Sequence, residues 1–370
     1  MPARGANAGG PIAVCYGTRP QVIKVSALAG ASPAPARELL LVDTGQHYDY
    51  ELNALLYEQL GVPRPHLFLG VGSGSHAAQT AAIISRAAEA FTEHRPRAVL
   101  VVGDTNSTLG CALAAVQMRI PVVHVEAGLR AADAMMAEEI NRRVVDEIST
   151  LLCAPSAGAE AQLHREQVTG TVVLTGDVGY DVLRRYAPLA PAPHLAPSWP
   201  LEPGAPFAFA TLHRAELVDR PATLAPVLAA LGDVGLPVVF AMHPRTRAAL
   251  ERHALADAIP PRVSVLPPLG YLEAVGCIRD AEVVITDSGG VQREAYWLGT
   301  PCVTVRGETE WEETLASGGN VLVPPERAVA ELPGVVGVRR RASGGGGWSR
   351  DAFGDGGAAQ QVWRAVDELL

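Results

Sequence analysis

Short β-branched runs alternate with longer helical patterns from one end of this 370-residue chain to the other, and that alternation restricts it to a parallel α/β architecture. In the first half, strands are expected at Ile12–Tyr16, Leu39–Asp43, Ala98–Val102, Val122–Val125, Leu151–Ala154 and Val172–Leu174, with helical stretches such as Ser75–Glu93, Ser107–Arg119 and Glu138–Thr150 between them. Residues 187–206 are proline-rich and aperiodic, which reads as a linker. A second series follows at Phe207–Thr211, Val238–Ala241, Val263–Leu266, Val283–Thr286 and Cys302–Val305. Its element order matches the first without any internal sequence repeat. Two doubly wound, Rossmann-like halves are therefore predicted, and the length independently asks for two domains of about 150–200 residues. Residues 343–347 read as a glycine-rich loop and Gly356–Leu370 as one terminal helix.

Composition removes several functions. The chain is 48% hydrophobic and 19% charged, as expected of a folded, soluble chain. A net charge of −9 argues against a nucleic-acid or anionic-membrane partner, although one basic pocket for phosphate is compatible with it. No apolar run approaches the roughly eighteen residues of a membrane span, and the apolar stretch after Met1–Gly10 is too short for a signal-peptide core. The five cysteines (Cys15, Cys111, Cys153, Cys277, Cys302) are scattered and odd in number. They fit reduced, buried thiols in cytosol rather than a disulfide framework or a zinc site.

In such sheets ligands bind beyond the carboxyl ends of the strands, and with two halves facing each other the cleft between them is the expected site. Polar clusters stand at those ends. Gly17-Thr18-Arg19-Pro20 leads into a helix with Pro20 in its first turn, and Arg19 and Lys24 beside that N-terminus suit an anion, or simply a solvated helix start. Gly103-Asp104-Thr105-Asn106-Ser107 follows a strand, and Asp104 serves either as a helix cap or as a functional acid. His124-Val125-Glu126-Ala127-Gly128 ends the next strand. Glu138-Glu139-Ile140-Asn141-Arg142 opens the helix after it, where Glu138 is either a first-turn carboxylate paired i,i+4 with Arg142 or a third acid. Three carboxylates at successive strand ends would point at one crevice, the arrangement that tunes acid/base sites.

In the second half, Thr211-Leu212-His213-Arg214 offers His213 as an acid/base group, a phosphate partner or a structural residue. His243 ends the next strand in the same manner. Thr286-Asp287-Ser288-Gly289-Gly290-Val291-Gln292-Arg293-Glu294 is the most specific element. Its strand, Ser-Gly-Gly turn and helix present backbone N–H groups and a hydroxyl to a diphosphate, with Glu294 one turn on for a ribose diol. It is neither a Walker A loop nor a GxGxxG fingerprint. A nucleotide sugar fits, and no ligand spacing demands a metal.

Taken together, GTRP, TGQHYD, GDTNS, HVEAGLR, EEINRR, TLHRAE and TDSGGVQ-E resemble the non-hydrolysing UDP-N-acetylglucosamine 2-epimerase family, from Gly17 to about Leu322 and again at Phe353-Gly354-Asp355-Gly356. The proline-rich linker and the two strand series divide the chain into residues 1–186 and 187–349, and the resemblance implies a GT-B fold with residues 356–370 returning to the first domain. It also implies acid/base roles for Asp104, Glu126 and Glu138 and an essential His213. Nucleotide contacts would fall on Arg19, Lys24, His213, Ser288, Gly289, Gly290, Glu294 and Arg306. Its other implications are a cytoplasmic homodimer, UDP-N-acetylhexosamine and UDP as partners, and no cofactor or metal.

Some positions depart from the family pattern: Ala137 for Pro, Arg293 for Glu, Leu217 for Asn, Ala274 for a uracil-side Phe. His47-Tyr48-Asp49 stands where several bacterial members carry His-Arg-Glu at an allosteric substrate site. Tyr48-Asp49-Tyr50 and Glu308-Thr309-Glu310-Trp311 resemble a subgroup with archaeal epimerases and 2,3-diacetamido-glucuronate epimerases. The implied reaction is interconversion of UDP-GlcNAc and UDP-ManNAc at C2, by anti elimination of UDP to a 2-acetamidoglucal and re-addition. The alternatives are a 2-epimerase for UDP-2,3-diacetamido-glucuronate or another modified sugar, a GT-B glycosyltransferase, and a non-catalytic nucleotide-sugar binder.

Overall fold

A computed structural model describes residues 9–32, 39–46, 56–340 and 347–370. The segment Tyr48-Asp49-Tyr50 with His47, and most of the expected glycine-rich loop, lie outside these. Two compact units emerge: Met1–Arg185 with Asp351–Leu370, and Tyr186–Arg350.

The first unit is built on a seven-stranded sheet, β1 (Ile12–Tyr16), β2 (Leu39–Asp43), β3 (Leu67–Phe68), β4 (Ala98–Val102), β5 (Val122–Val125), β6 (Leu151–Ala154) and β7 (Thr171–Leu174), ordered β3-β2-β1-β4-β5-β6-β7. Every described pairing is parallel. β1, β2, β4, β5 and β6 are buried along their whole length, which is why they read as near-continuous apolar runs instead of alternating ones, with Asp43 of β2 and His124 of β5 as buried polar exceptions. Helices α1 (Arg19–Ala31), α2 (His76–His94), α3 (Asn106–Gln117), α4 (Ala137–Ile148) and α5 (Ala157–Glu166) lie in crossovers between the sheet's strands, and α6 (Val178–Tyr186) follows β7. Ile83 and Phe91 of α2 and Cys111 and Ala115 of α3 join Ala13, Cys15, Val99 and Val101 in one core cluster.

The second unit repeats the scheme. Strands β8 (Ala208–Thr211), β9 (Val238–Ala241), β10 (Val263–Leu266), β11 (Val283–Thr286), β12 (Cys302–Thr304) and β13 (Asn320–Leu322) run in the order β10-β9-β8-β11-β12-β13. Helices are α7 (Ala215–Val218), α8 (Pro221–Gly232), α9 (Pro244–Arg252), α10 (Tyr271–Asp280), α11 (Gly289–Leu298), α12 (Glu312–Ala316) and α13 (Ala328–Arg339). Successive strand residues point to opposite faces. Ala208, Ala210, Phe240 and Ile285 therefore join Leu228, Leu332 and Val336 of α8 and α13 on one side. Phe209, Val239 and Val284 meet Cys277, Ile278 and Ala295 of α10 and α11 on the other. Each fully buried Val, Leu, Ile or Phe among them contributes about 1.5–3 kcal/mol.

Residues 187–206 are not the free linker that their composition suggests. Arg279 Nη1 donates to the Ala190 carbonyl at 3.0 Å, Trp199 sits edge-on to Phe207 with ring centroids 5.0 Å apart, and a Cβ on Gly276 would meet the Pro191 carbonyl oxygen at 2.2 Å. Proline lacks an N–H but keeps its carbonyl, so the strap binds its own unit through acceptors and rings.

The terminal helix α14 (Ala358–Leu369) belongs to the first unit. Asp181 caps it by accepting from Ala358 N at 3.1 Å and Ala359 N at 2.7 Å. Trp363 Nε1 donates to the Leu28 carbonyl of α1 at 2.8 Å. All five cysteines are free and buried. No helix among the described residues is long and apolar enough to cross a membrane.

Candidate active-site residues at two switch points

In both sheets the strand order reverses beside the first strand of the series, between β1 and β4 in one unit and between β8 and β11 in the other. A crevice opens outside the strand ends at such a point. The expected site residues cluster at these two places, and the two clusters are chemically unlike.

In the first unit, register pairs Val102 of β4 with Val125 of β5, so the next residues, Gly103-Asp104 and Glu126, leave the sheet side by side. Gly103 turns at φ +67°, a conformation glycine adopts freely. Glu126 turns at φ +72°, which in a residue with a Cβ stores on the order of 1–3 kcal/mol and persists only if its surroundings impose it. They do: Glu126 N and Ala127 N both donate to the Cys153 carbonyl at 3.1 Å, and the buried Glu126 carboxylate is ion-paired with Lys24 of α1. Asp104 does not cap α3, because Thr105 takes that place, its hydroxyl accepting from Thr108 N. The Asp104 carboxylate instead receives Arg142 Nη2 at 2.5 Å, and its carbonyl receives Asn141 Nδ2 at 2.8 Å.

The neighbouring glutamates of α4 divide their work. Glu138 is exposed in the first turn, and Arg142 is directed to Asp104 and Glu139 rather than paired with it i,i+4. Glu139, not singled out from sequence, is wholly buried and accepts from Ala131 N at 2.9 Å, Arg143 Nε at 2.8 Å and Arg142 Nη1 at 3.3 Å. The doubled Glu-Glu was the only signal, and helix phase decides which of the two turns inward. Arg19 opens α1 half-buried.

An amide and hydroxyl lattice closes the same end. Gln46 Oε1 accepts from Ser107 N at 2.9 Å and Ser107 Oγ at 2.6 Å, and Asn106 Nδ2 donates to Gln79 Oε1 at 2.7 Å.

In the second unit the buried carboxylate organises backbone. Asp287 is wholly buried and accepts from His213 N at 2.8 Å and Arg214 N at 2.7 Å, while Thr211 and Thr286 hydroxyls meet at 2.7 Å between the strands. This leaves the His213 ring 37% exposed, 5.3 Å from the ring of His243. Ser288 caps α11, its hydroxyl accepting from Val291 N, and Gly289 and Gly290 form the first turn. A Cβ on Gly289 would lie 3.0 Å from both Glu310 Oε1 and Trp311 Nε1, so the turn is packed tightly from behind. Glu310 also accepts from Arg306 Nη1 at 2.8 Å and Arg214 Nη2 at 3.2 Å. Arg293 lies over the Trp311 ring at 3.7 Å and donates to the Gly289 carbonyl at 3.3 Å. Glu294 is half-buried on α11. No cluster of three His, Cys, Asp or Glu able to hold a metal occurs among the described residues.

Two parallel-sheet α/β units place the chain in the GT-B class of sugar-nucleotide enzymes. Residues 32–367 match the family model described as UDP-N-acetylglucosamine 2-epimerase. The UDP-2,3-diacetamido-2,3-dideoxy-D-glucuronate 2-epimerase of Pseudomonas aeruginosa is 39% identical over 85% of this chain and 89% of its own length. The UDP-N-acetylglucosamine 2-epimerase of Methanocaldococcus jannaschii is 32% identical over 96% and 98% respectively. The crystal structure of the M. jannaschii enzyme in complex with UDP-GlcNAc and UDP superposes with a TM-score of 0.85 at 31% identity, covering 97% of this chain and 99% of that one. The chain belongs to the UDP-N-acetylglucosamine 2-epimerase family.

Proposed function

We propose that this protein interconverts UDP-GlcNAc and UDP-ManNAc by inverting C2. The C2 proton lies next to no carbonyl, so direct abstraction would be slow. In the proposed route a base removes that proton while the C1–O bond to UDP breaks anti to it, giving 2-acetamidoglucal and UDP. UDP oxygen then re-forms the C1 bond and an acid returns a proton to the opposite face of C2. The observation that carries this reading is the pair of carboxylates, Asp104 and Glu126, leaving adjacent strand ends, each held by a cation, Arg142 and Lys24. Glu138 serves as the third acid/base group and His213 assists the leaving diphosphate.

The Ser288-Gly289-Gly290 turn with Arg306, Arg19 and Lys24 holds the diphosphate through fixed donors at a helix N-terminus, and Glu294 receives the ribose diol. The enzyme works as a homodimer in the cytoplasm without a cofactor. A second reading, a 2-epimerase for UDP-2,3-diacetamido-glucuronate, is favoured by the 39% identity to the P. aeruginosa enzyme.

The test is NMR of purified protein in deuterium oxide with each nucleotide sugar alone. The expected result is epimerised UDP-HexNAc with deuterium at C2. Product that keeps protium at C2 would reject elimination and re-addition, and turnover of only the diacetamido sugar would select the second reading.

A further inference from the structure

Beneath the turns of Asp104 and Glu126 lies a buried imidazole–carboxylate pair that the proposed chemistry does not use. His124 stands on β5 two residues before Glu126 and is wholly buried. Its Nδ1 lies 2.7 Å from Asp146 Oδ1 and its Nε2 2.8 Å from the Gly103 carbonyl. Both partners are acceptors, so the ring donates at each end. Asp146, on α4, uses its other oxygen to accept Gly128 N at 3.1 Å and Arg130 Nη1 at 2.7 Å. Burial alone would raise the Asp146 carboxyl, but His124 and Arg130 outweigh it and hold it below the usual carboxylate range.

One carboxylate thus grips both turns, Gly103-Asp104 through the imidazole and Glu126–Gly128 directly. Asn141 and Arg142 of the same helix hold Asp104 itself, and Glu138 opens that helix. We infer that Asp146, acting through His124, is a positioning residue that sets the Asp104 and Glu126 carboxylates relative to each other and to α4. Both His124 and Asp146 are closed off from solvent, so they act through the turns they hold. The inference rests on the acid/base roles proposed above, and geometry makes it consequential: proton transfer needs heavy atoms about 2.6–3.2 Å apart, and a misplacement of about 1 Å can cost roughly 10²-fold in rate.

The experiment compares His124→Gln, whose terminal amide keeps a donor toward Gly103, with His124→Asn, whose shorter amide faces Asp146 only, and adds Asp146→Asn. Wild type is first shown to epimerise one of the two nucleotide sugars. If it turns over neither, the functional reading fails before the positioning role is at issue. Given wild-type turnover, Asp146→Asn and His124→Asn are expected to lose about 10–10²-fold in kcat with KM and UDP affinity within about twofold, and His124→Gln to recover several-fold over His124→Asn. Equal losses in both His124 variants that follow their melting temperatures would show a purely structural pair and overturn the inference. So would kcat within twofold of wild type in Asp146→Asn. If the variants do not fold, nitrogen-15 histidine NMR of the wild type decides: one ring with slowly exchanging protons on both nitrogens is expected, and a bare nitrogen on the His124 ring overturns it.

Discussion

The two units share the order of their first six strands and set unlike residues at the same topological point. In the first unit side chains carry the charge: Asp104 and Glu126 stand at adjacent strand ends, each against a cation. In the second unit the backbone faces outward. Asp287 is spent on the N–H groups of His213 and Arg214, and the strand end is a serine and two glycines in front of a packed layer of Glu310, Arg293 and Trp311. The fold decides where a strand-end edge arises. In the proposed function, the few residues after each strand decide what that edge does: Asp104 and Glu126 move protons, Ser288-Gly289-Gly290 holds an anion, and Arg19 and Lys24 of the first unit add their charge to that anion's contacts.

Removing either carboxylate of the first unit tests that division most severely. Asp104→Asn and Glu126→Gln should each lower kcat by roughly 10²–10⁴-fold while calorimetry finds UDP affinity changed by less than about threefold. Loss of UDP binding in step with turnover would erase the distinction between the units.

The converse change, Gly289→Ala, adds a methyl where Glu310 and Trp311 leave 3.0 Å, so the turn must shift. UDP affinity should fall about tenfold or more, equivalent to about 1.4 kcal/mol, with the C2 exchange rate at saturating substrate falling much less. Ser288→Ala should weaken UDP by about 1.5–3 kcal/mol, the worth of a charge-assisted hydrogen bond, and should also lower stability by about 1 kcal/mol through the lost cap on α11. Unchanged UDP affinity in both variants would remove the second unit from nucleotide binding.

A smaller effect is shared by both units and sharpens what they have in common. Burial pushes the thiols of Cys153 in the first unit and Cys302 in the second up to about 12, from an ordinary 9.0. Because the folded values are raised, the stability they contribute is complete below pH 9.0 and is lost as pH climbs toward the folded values near 12. Native protein at pH 8 should resist iodoacetamide at both positions and react only once unfolded, as peptide mass spectrometry would show. Rapid labelling of either thiol in the folded protein would mean that its sheet opens locally.

Most of this frame was legible in the residues, because buried parallel strands are rich in consecutive apolar residues: β1, β2, β4, β5, β6, β9 and β11 begin and end where the pattern does, and so does β10, although its middle residues Ser264 and Val265 are not buried. β3 and β13 were not legible. At two and three residues, the first including an exposed Phe68, they carry no period and exist only because a neighbouring strand pairs with them.

The strand-end motifs also read clearly, but the partners within them did not. A rule that puts apolar side chains inside would bury Ile140 and expose Glu139. Instead Ile140 is 42% exposed and Glu139 wholly buried, since three arginines, Arg130, Arg142 and Arg143, converge on that carboxylate. Such compensation comes from residues brought together by the sheet, and no local period records it. The Asp146–His124 link has the same character, joining positions 22 residues apart.

The return of the last twenty residues to the first unit has a consequence for how the chain comes off the ribosome. Residues up to 185 emerge first, yet α14 arrives only after the whole second unit has been made. At about 5–20 residues per second, that wait lasts on the order of ten seconds to half a minute. Until then the groove that receives Val362, Trp363 and Val366 beside α1 and β6 stays uncovered, while residues 186–350 already hold a complete sheet. The later-made unit is thus the first able to finish folding, and the nascent first unit must keep an apolar groove out of trouble in the meantime.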